Sequence, residues 1–419
     1  MTQPAAKTPF VAIACGGTGG HLFPGLAVAG ALRNRGCRIA LLISPKEIDR
    51  EAVKAASDME IFTLPAVGLQ NRNYFSFAGS FVKSIFAAKR IFRHWKPDAV
   101  LAMGGFTSAP PTLVGRNSGA KAFLHESNTI PGRANRFLAR FVHEAFVGFP
   151  ETAARLKAGK VIATGTPVRP EFGFKISAAE NYRTALGLEP RRVTILIMGG
   201  SQGASGINEV ILATLPLLDD RSSTWQWLHL TGKDSFDRVK AAYNSRRIKA
   251  VVKPFLAEMD LALGAATVAV SRAGASSLAE IAAVRLPSLL VPFPAAADNH
   301  QFHNARAFEK TGAARLIEQR HATPEKVAAI LHELAENQAS RAAMQTALEQ
   351  WHKPKAAEHI ADNILRSVME SQSSKFRDPG PKEASSSEHR IISRAAGFAL
   401  WILALIWSLG FGTWNFSVA

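Results

Sequence analysis

Cysteine is scarce in this chain. Cys15 and Cys37 are the two present in 419 residues, so no disulfide framework holds the fold and a reduced, cytosolic body is expected. The histidines have no metal-ligand spacing, neither glycine-rich run ends in Gly-Lys-Ser or Gly-Lys-Thr, and there is no RNP-like motif or reading helix. These absences argue against a metal centre, a phosphate-loop NTPase and nucleic-acid recognition. Acidic residues are in deficit, 33 against 50 Lys and Arg, which leaves a formal charge of +17. That excess favours phosphate or an acidic membrane surface as partner. The first nine residues carry no apolar run followed by a small-residue cleavage site, so no export signal is predicted.

What is present suffices for folded domains. Hydrophobic residues make up 47% and charged residues 20%, and the length exceeds what one core usually supports, so two domains plus an extra element are expected. Short apolar runs at 10–15, 38–43, 99–103, 121–124 and 145–147 alternate with helical patterns. The pattern restarts at 193–198 and continues through 226–230, 250–252, 268–271 and 288–291. This predicts an α/β protein with two parallel, Rossmann-like sheets covered on both faces, facing a cleft. The expected division is 1–168, 169–350, a C-terminal helical part at 351–371, a Ser-, Pro- and charge-rich linker at 372–394 and an apolar tail at 395–419. The segment from Thr164 to Pro170, with two prolines, reads as the hinge.

Each half opens on a glycine-rich turn between strand and helix: Gly16, Gly17, Thr18, Gly19 and Gly20 in the first, Gly199 to Gly203 in the second. Such turns let backbone N–H groups approach a phosphate; they also serve simply to tighten a turn. The first loop does not complete a dinucleotide fingerprint, because Leu22 stands where a third glycine belongs and no acidic residue ends the next strand at Ser44. His21 sits at the mouth of the predicted cleft, either as a proton acceptor for a hydroxyl or as a helix-start residue hydrogen-bonding its loop. Ser277 and Glu280 have capping-box spacing, which competes with a role for Glu280 on a ribose diol.

Taken in order, GGTGGHLFPGLAVA, MGGF, HESNTIPGRANR, TGTPVR, GGSQGA, SRAGASSLAEIAA and ADNHQ resemble the MurG family from about Phe10 to about Met369. The resemblance implies a GT-B fold and an inverting hexosyltransferase. Its donor would be UDP-N-acetylglucosamine and its acceptor hydroxyl the C4 hydroxyl of a muramyl pentapeptide on undecaprenyl pyrophosphate, with no cofactor. It places Gly16 to Gly20 on the acceptor pyrophosphate, with Thr18, Gly19 and Gly20 also near the donor. His21 is the base candidate, Asn128 touches the sugar and Glu126 is an alternative base. In the second domain, Gly200, Ser201 and Gln202 would meet the donor phosphates, joined by the helix start at Ala275, Ser276 and Ser277. Glu280 would hold the ribose, Leu256 the uracil through backbone atoms, and Arg169 the nucleotide. Asp298, His300 and Gln301 would contact the donor sugar. The chain departs from the family at the hinge, where Thr166 precedes the proline, at Phe106, and in its tail. A 2-epimerase of the same fold, recognisable by isomerised sugar, and a non-catalytic scaffold, recognisable by binding without turnover, are the alternative readings.

Two segments point to a membrane. Between Tyr74 and Trp95, Phe77, Phe81, Ile85 and Phe92 fall near one helical stripe among Lys83, Lys89, Arg90 and Arg93; this suits an anionic bilayer or a core-facing helix with a basic outer face. The tail from Ala395 to Ala419 has no charged residue, and His389, Arg390 and Arg394 precede it. A span with the enzyme on the cytoplasmic face of the inner membrane is expected, or else a surface helix.

Overall fold

The computed structural model describes residues 8–54, 58–66, 74–172, 179–199 and 205–377. In the first domain the strands are β1 (Phe10–Ala14), β2 (Arg38–Ile43), β3 (Glu60–Thr63), β4 (Ala99–Ala102), β5 (Lys121–Glu126), β6 (Glu144–Val147) and β7 (Val161–Ala163). All pair in parallel, in the order β3-β2-β1-β4-β5-β6-β7. The accompanying helices are α1 (Gly19–Arg33), α2 (Glu47–Ala52), α3 (Tyr74–Trp95), α4 (Ala109–Asn117) and α5 (Arg133–Leu138).

The second domain repeats the plan with β8 (Val193–Met198), β9 (Trp225–Leu230), β10 (Ala250–Lys253), β11 (Val268–Ser271), β12 (Ser288–Leu290) and β13 (Arg315–Leu316), ordered β10-β9-β8-β11-β12-β13. Its helices in chain order are α6 (Ala179–Ala185), α7 (Ser205–Thr214), α8 (Phe236–Ser245), α9 (Met259–Ala265), α10 (Ala275–Ala283), α11 (His300–Lys310), α12 (Pro324–Glu336) and α13 (Gln338–Glu349), followed by α14 (Ala356–Arg377). Central strands such as β1 and β8 are near-continuous apolar runs because helices cover both of their faces.

In each sheet the strand order reverses once, between β1 and β4 and between β8 and β11. The crevice beyond the carboxyl ends of the strands opens at such a switch point. The turns after β1 and β4 carry Gly16-Gly17 and Gly104-Gly105, and the turn after β11 carries Gly274; residues 200–204, which follow β8 in the sequence, lie outside the described residues.

The chain crosses back at its end. Ile360, Ala361, Ile364 and Val368 of α14 lie in the same core as Val28 and Leu32 of α1 and Ile13 of β1. Arg35 adds an ion pair to Asp362 at 2.7 Å. Beside this return the domains share an aromatic cluster in which Phe149 packs on Phe308 and Trp351, themselves stacked at 4.4 Å. At the hinge, Gly165 has φ +84°, and a β-carbon there would collide with Lys353.

Three strands escape the sequence reading: β3, β7 and β13. Each is an edge strand of two to four residues, partly exposed, so it lacks the apolar run that marks a covered strand. The helix α3 corrects a second expectation. Phe77, Phe81, Ile85 and Phe92 are buried in the first domain's core, so that stripe is not a membrane face. The outer face of α3 instead carries exposed Phe86 with Lys83, Lys89, Arg90 and Arg93. Among the described residues no helix is long and apolar enough to cross a membrane. The linker expected at 372–394 starts later than its composition suggested, because α14 continues to Arg377; the rest of that linker, 378–394, and the tail 395–419 lie outside the described residues.

Candidate active site

The first glycine loop divides into two parts with different duties. Gly16 leaves β1 where a β-carbon would overlap the Ile43–Ser44 backbone, so close strand packing requires glycine there. Gly17 has φ +110° and donates its N–H to Asp49 Oδ2 at 2.7 Å. The same oxygen accepts Ser44 N at 3.1 Å and Ser44 Oγ at 2.5 Å, while Lys46 Nζ donates to Gly17 O at 2.7 Å. The expected anion contact at Gly17 is therefore corrected: its amide is already engaged by a buried carboxylate, and for Gly16 and Gly17 the turn-tightening reading holds. Thr18, Gly20 and His21 line the cleft, and α1 begins at Gly19, so the start of that helix borders it.

A second glycine pair seats His21. Gly104 and Gly105 follow β4 with φ +113° and +74°. A β-carbon on Gly104 would lie 2.7 Å from His21 Cε1 and 2.9 Å from Nδ1, and one on Gly105 would lie 3.1 Å from Cδ2. The imidazole thus rests on bare backbone, which Ser108 Oγ fixes by accepting Gly104 N at 3.1 Å. Burial holds the His21 pKa below its usual 6.5, against opposing pulls from Glu126, the Met103 carbonyl and Asp49. A ring so placed is neutral at neutral pH and can accept a proton.

Glu126 is fully occupied. Oε1 accepts Asn128 N at 2.8 Å and Asn128 Nδ2 at 3.0 Å; Oε2 accepts Gly132 N at 2.9 Å and Asn135 Nδ2 at 2.8 Å. A carboxylate that accepts four N–H groups shapes the 126–135 loop, and this geometry does not suit the alternative-base role. His125, one residue earlier, is buried against Gly165 O at 3.2 Å and Ser127, and burial pushes its pKa down to about 4. It is a satisfied core histidine.

Across the cleft, α10 starts at Ala275 with Gly274 as N-cap, and no side chain caps it. Ser277 is then the third residue of the helix and Glu280 the sixth, so the capping-box reading fails and Glu280 is released from it. Burial raises the Glu280 carboxyl to about 7, with Arg169 pulling it down. Arg169 lies between the Phe23 and Phe172 rings at 4.6 and 4.9 Å and pairs with Glu171 at 3.1 Å. Ser276 Oγ donates to Gly20 O at 3.1 Å, which brings the N-termini of α1 and α10 together on one cavity.

That cavity, about 380 Å³, lies between the domains and is lined by Thr18, Gly20, His21, Asn128, Ala275, Ser276, Asp298 and His300, among others. His300 Nδ1 sits 2.7 Å from Ala297 O. The side-chain oxygen of Gln301 accepts Ala273 N and Phe293 N, at 3.3 and 3.0 Å. Leu256 is buried in the second core, where its side chain packs. Asp298 is paired with the first domain, to Arg136 at 2.6 Å and Arg133 at 3.7 Å. Gly200, Ser201 and Gln202 lie outside the described residues.

The sequence reading missed Asn304. It is fully buried on α11; its Oδ1 accepts Thr129 N at 2.9 Å and Thr129 Oγ1 at 3.0 Å, and its Nδ2 donates to Asn128 Oδ1 at 3.0 Å and Ala273 O at 3.2 Å. It thereby ties the second domain to the Glu126–Asn128 network of the first. Helical spacing could have found it, since residue 304 follows 300 and 301 at i+4 and i+3 on one face.

Comparison with known proteins bears on this arrangement. Residues 11–147 match the glycosyltransferase family 28 N-terminal domain and 194–361 its C-terminal domain. The UDP-N-acetylglucosamine--N-acetylmuramyl-(pentapeptide) pyrophosphoryl-undecaprenol N-acetylglucosamine transferase of Acidithiobacillus ferrooxidans is 39% identical over 74% of this chain and 84% of its own. The enzyme of the same name from Xanthomonas axonopodis pv. citri is 37% identical over 87% and 83%. The crystal structure of Acinetobacter baumannii MurG superposes with a TM-score of 0.67 at 27% identity, covering 86% of this chain and 99% of that one. The chain belongs to the MurG family. Its GT-B architecture is also seen in the UDP-GlcNAc 2-epimerase of Neisseria meningitidis, at TM-score 0.63, 12% identity and coverage of 85% and 100%; that likeness is one of fold alone. Within the two matched family 28 domains fall the His21 seat, the Glu126 network and the α10 start, whereas the tail at 395–419 lies beyond the domain matched at 194–361.

Proposed function

We infer that the protein transfers N-acetylglucosamine from UDP-N-acetylglucosamine to the C4 hydroxyl of N-acetylmuramyl pentapeptide carried on undecaprenyl pyrophosphate, forming lipid II for peptidoglycan. The observation that carries this reading is the interdomain cavity in a member of this family: it holds a glycine-seated histidine and the starts of α1 and α10. An α-linked donor and a β-linked product require one inverting displacement. The acceptor oxygen attacks C1 while its proton passes to His21, and the C1–O bond breaks with its electron pair leaving on UDP.

The remaining roles follow the two walls. Amides of Thr18, Gly19 and Gly20 receive the acceptor pyrophosphate. The α10 start at Ala275, Ser276 and Ser277, with Gly200, Ser201 and Gln202, receives the donor diphosphate. Glu280 takes the ribose diol, Arg169 and the backbone at Leu256 the rest of the nucleotide, and His300, Gln301 and Asn128 the donor sugar. The exposed face of α3, with Phe86 among lysines and arginines, meets an anionic bilayer on the cytoplasmic side. The apolar tail at 395–419 anchors the enzyme there as a C-terminal helix. Its removal should shift the protein toward the soluble fraction with turnover on a short-chain acceptor retained; unchanged partition would refute the anchor.

Incubation with labelled UDP-N-acetylglucosamine tests the activity. Label in the lipid fraction that depends on the lipid-linked acceptor supports transfer. Isomerised sugar nucleotide formed without acceptor, or binding without turnover, overturns it.

A further inference from the structure

One ion pair at the cavity rim engages Asp298, the residue that the family resemblance puts on the donor sugar. Asp298 of the second domain reaches across to Arg136 at 2.6 Å and to Arg133 at 3.7 Å, both on α5 of the first. Two guanidinium groups therefore share one carboxylate. The backbone that carries the carboxylate is unusual: Asp298 and Asn299 are consecutive left-handed residues with φ +50° and +51°, immediately before α11. Asparagine and aspartate tolerate that region, yet two in succession are uncommon and mark a functional position.

The pair is built to be exchanged. Arg133 and Arg136 are 53% and 45% exposed and Asp298 is 33% exposed, so water screens the attraction and its contribution is small. An anion with several oxygens gains more from two adjacent guanidinium groups than a single carboxylate does, because each guanidinium can donate two parallel N–H bonds. Arg133 and Asp298 both line the cavity that holds His21.

We propose that Arg133 and Arg136 form a receiving site for an oxyanion of the acceptor, which Asp298 occupies across the closed cleft and vacates when the acceptor enters. This rests on the transferase reading, whose acceptor carries both a pyrophosphate and the carboxylates of its pentapeptide. Asp298 is then a competitor of the acceptor rather than a donor-sugar ligand, and its release lets the two domains part at that rim. The ion pair links domain closure to an empty acceptor site.

Steady-state kinetics on the full-length protein with a lipid-linked muramyl pentapeptide test this. R136Q and R133Q should each raise the acceptor KM by about tenfold, with donor KM and donor binding unchanged. D298N should lower the acceptor KM and leave the donor KM alone. Repeating R136Q on an acceptor with an uncharged stem assigns the oxyanion: a persisting effect supports the pyrophosphate, a vanished effect the stem carboxylates. Unchanged acceptor KM in both arginine variants, or a raised donor KM in D298N, overturns the proposal. A wild-type protein that transfers nothing to either acceptor would instead refute the transferase reading.

Discussion

His21 and Gly104 are in such close contact that the imidazole occupies the space where any other residue at 104 would place its β-carbon, 2.7 Å from Cε1 and 2.9 Å from Nδ1. The position of the candidate base is thus set by a backbone with φ +113°. Gly104→Ala should displace the ring and lower kcat at least about tenfold with the donor KM little changed, since a misplacement near 1 Å costs about that or more. Backbone strain of roughly 1–3 kcal/mol accompanies it, so thermal unfolding is recorded in parallel. A variant that loses stability but keeps kcat would separate the seat from catalysis.

The pH dependence of turnover follows from the same burial. His21 must be neutral to accept a proton, and desolvation holds its pKa below 6.5. The acid limb of the kcat/KM profile should therefore fall below pH 6.5, and His21→Gln should remove that limb along with most of the rate. A limb that survives in the variant would belong to another group.

Glu280 predicts the opposite end of the pathway. Its carboxyl is raised to about 7 by burial, so the group is mainly protonated below that pH and ionised above it. Accepting both hydroxyls of a ribose needs the ionised form, and donor affinity should rise as pH passes from 6 to 8. Binding of UDP measured calorimetrically in Glu280→Gln should be weaker and flat with pH; a slope preserved in the variant would assign the effect elsewhere.

Much of this was legible in the sequence, for physical reasons that also explain the failures. Covered strands such as β2 and β8 were readable because helices on both faces demand unbroken apolar runs. Edge strands β3 and β13 were not, because one side meets water. The glycine runs located the switch-point loops, yet spacing could not separate Gly17, whose amide is taken by Asp49, from Gly20, which faces the cavity. Glu126 and His21 are both near the cavity. Four N–H groups already satisfy the first while the second lies on bare backbone, a difference that residue type and spacing do not encode. Asp298 pairs with the opposite domain from a stretch of two left-handed residues, a backbone conformation that its neighbours in the sequence do not announce.

Asn304 offers a test of the interface. Asn304→Ala would leave Thr129 N, Thr129 Oγ1 and Asn128 Oδ1 without their partner in a buried site, a loss of roughly 2–4 kcal/mol when several such groups are unpaired together. Denaturant unfolding should show that loss, and kcat should fall with it because Asn128 is no longer held from the second domain. Full stability in the variant would mean that water replaces the amide and that the domains are not coupled there.

In the proposed division of labour, His21 and the α1 start serve the acceptor and the α10 start serves the donor. The most direct measurement is transfer of labelled N-acetylglucosamine from UDP-N-acetylglucosamine to lipid-linked muramyl pentapeptide by wild type and His21→Ala, with donor binding measured on both. Wild type should give a β-linked, acceptor-dependent product, and the variant should turn over more slowly by roughly 10²–10⁴ with donor affinity intact. Equal turnover in the two proteins, or loss of donor binding in His21→Ala, would contradict it.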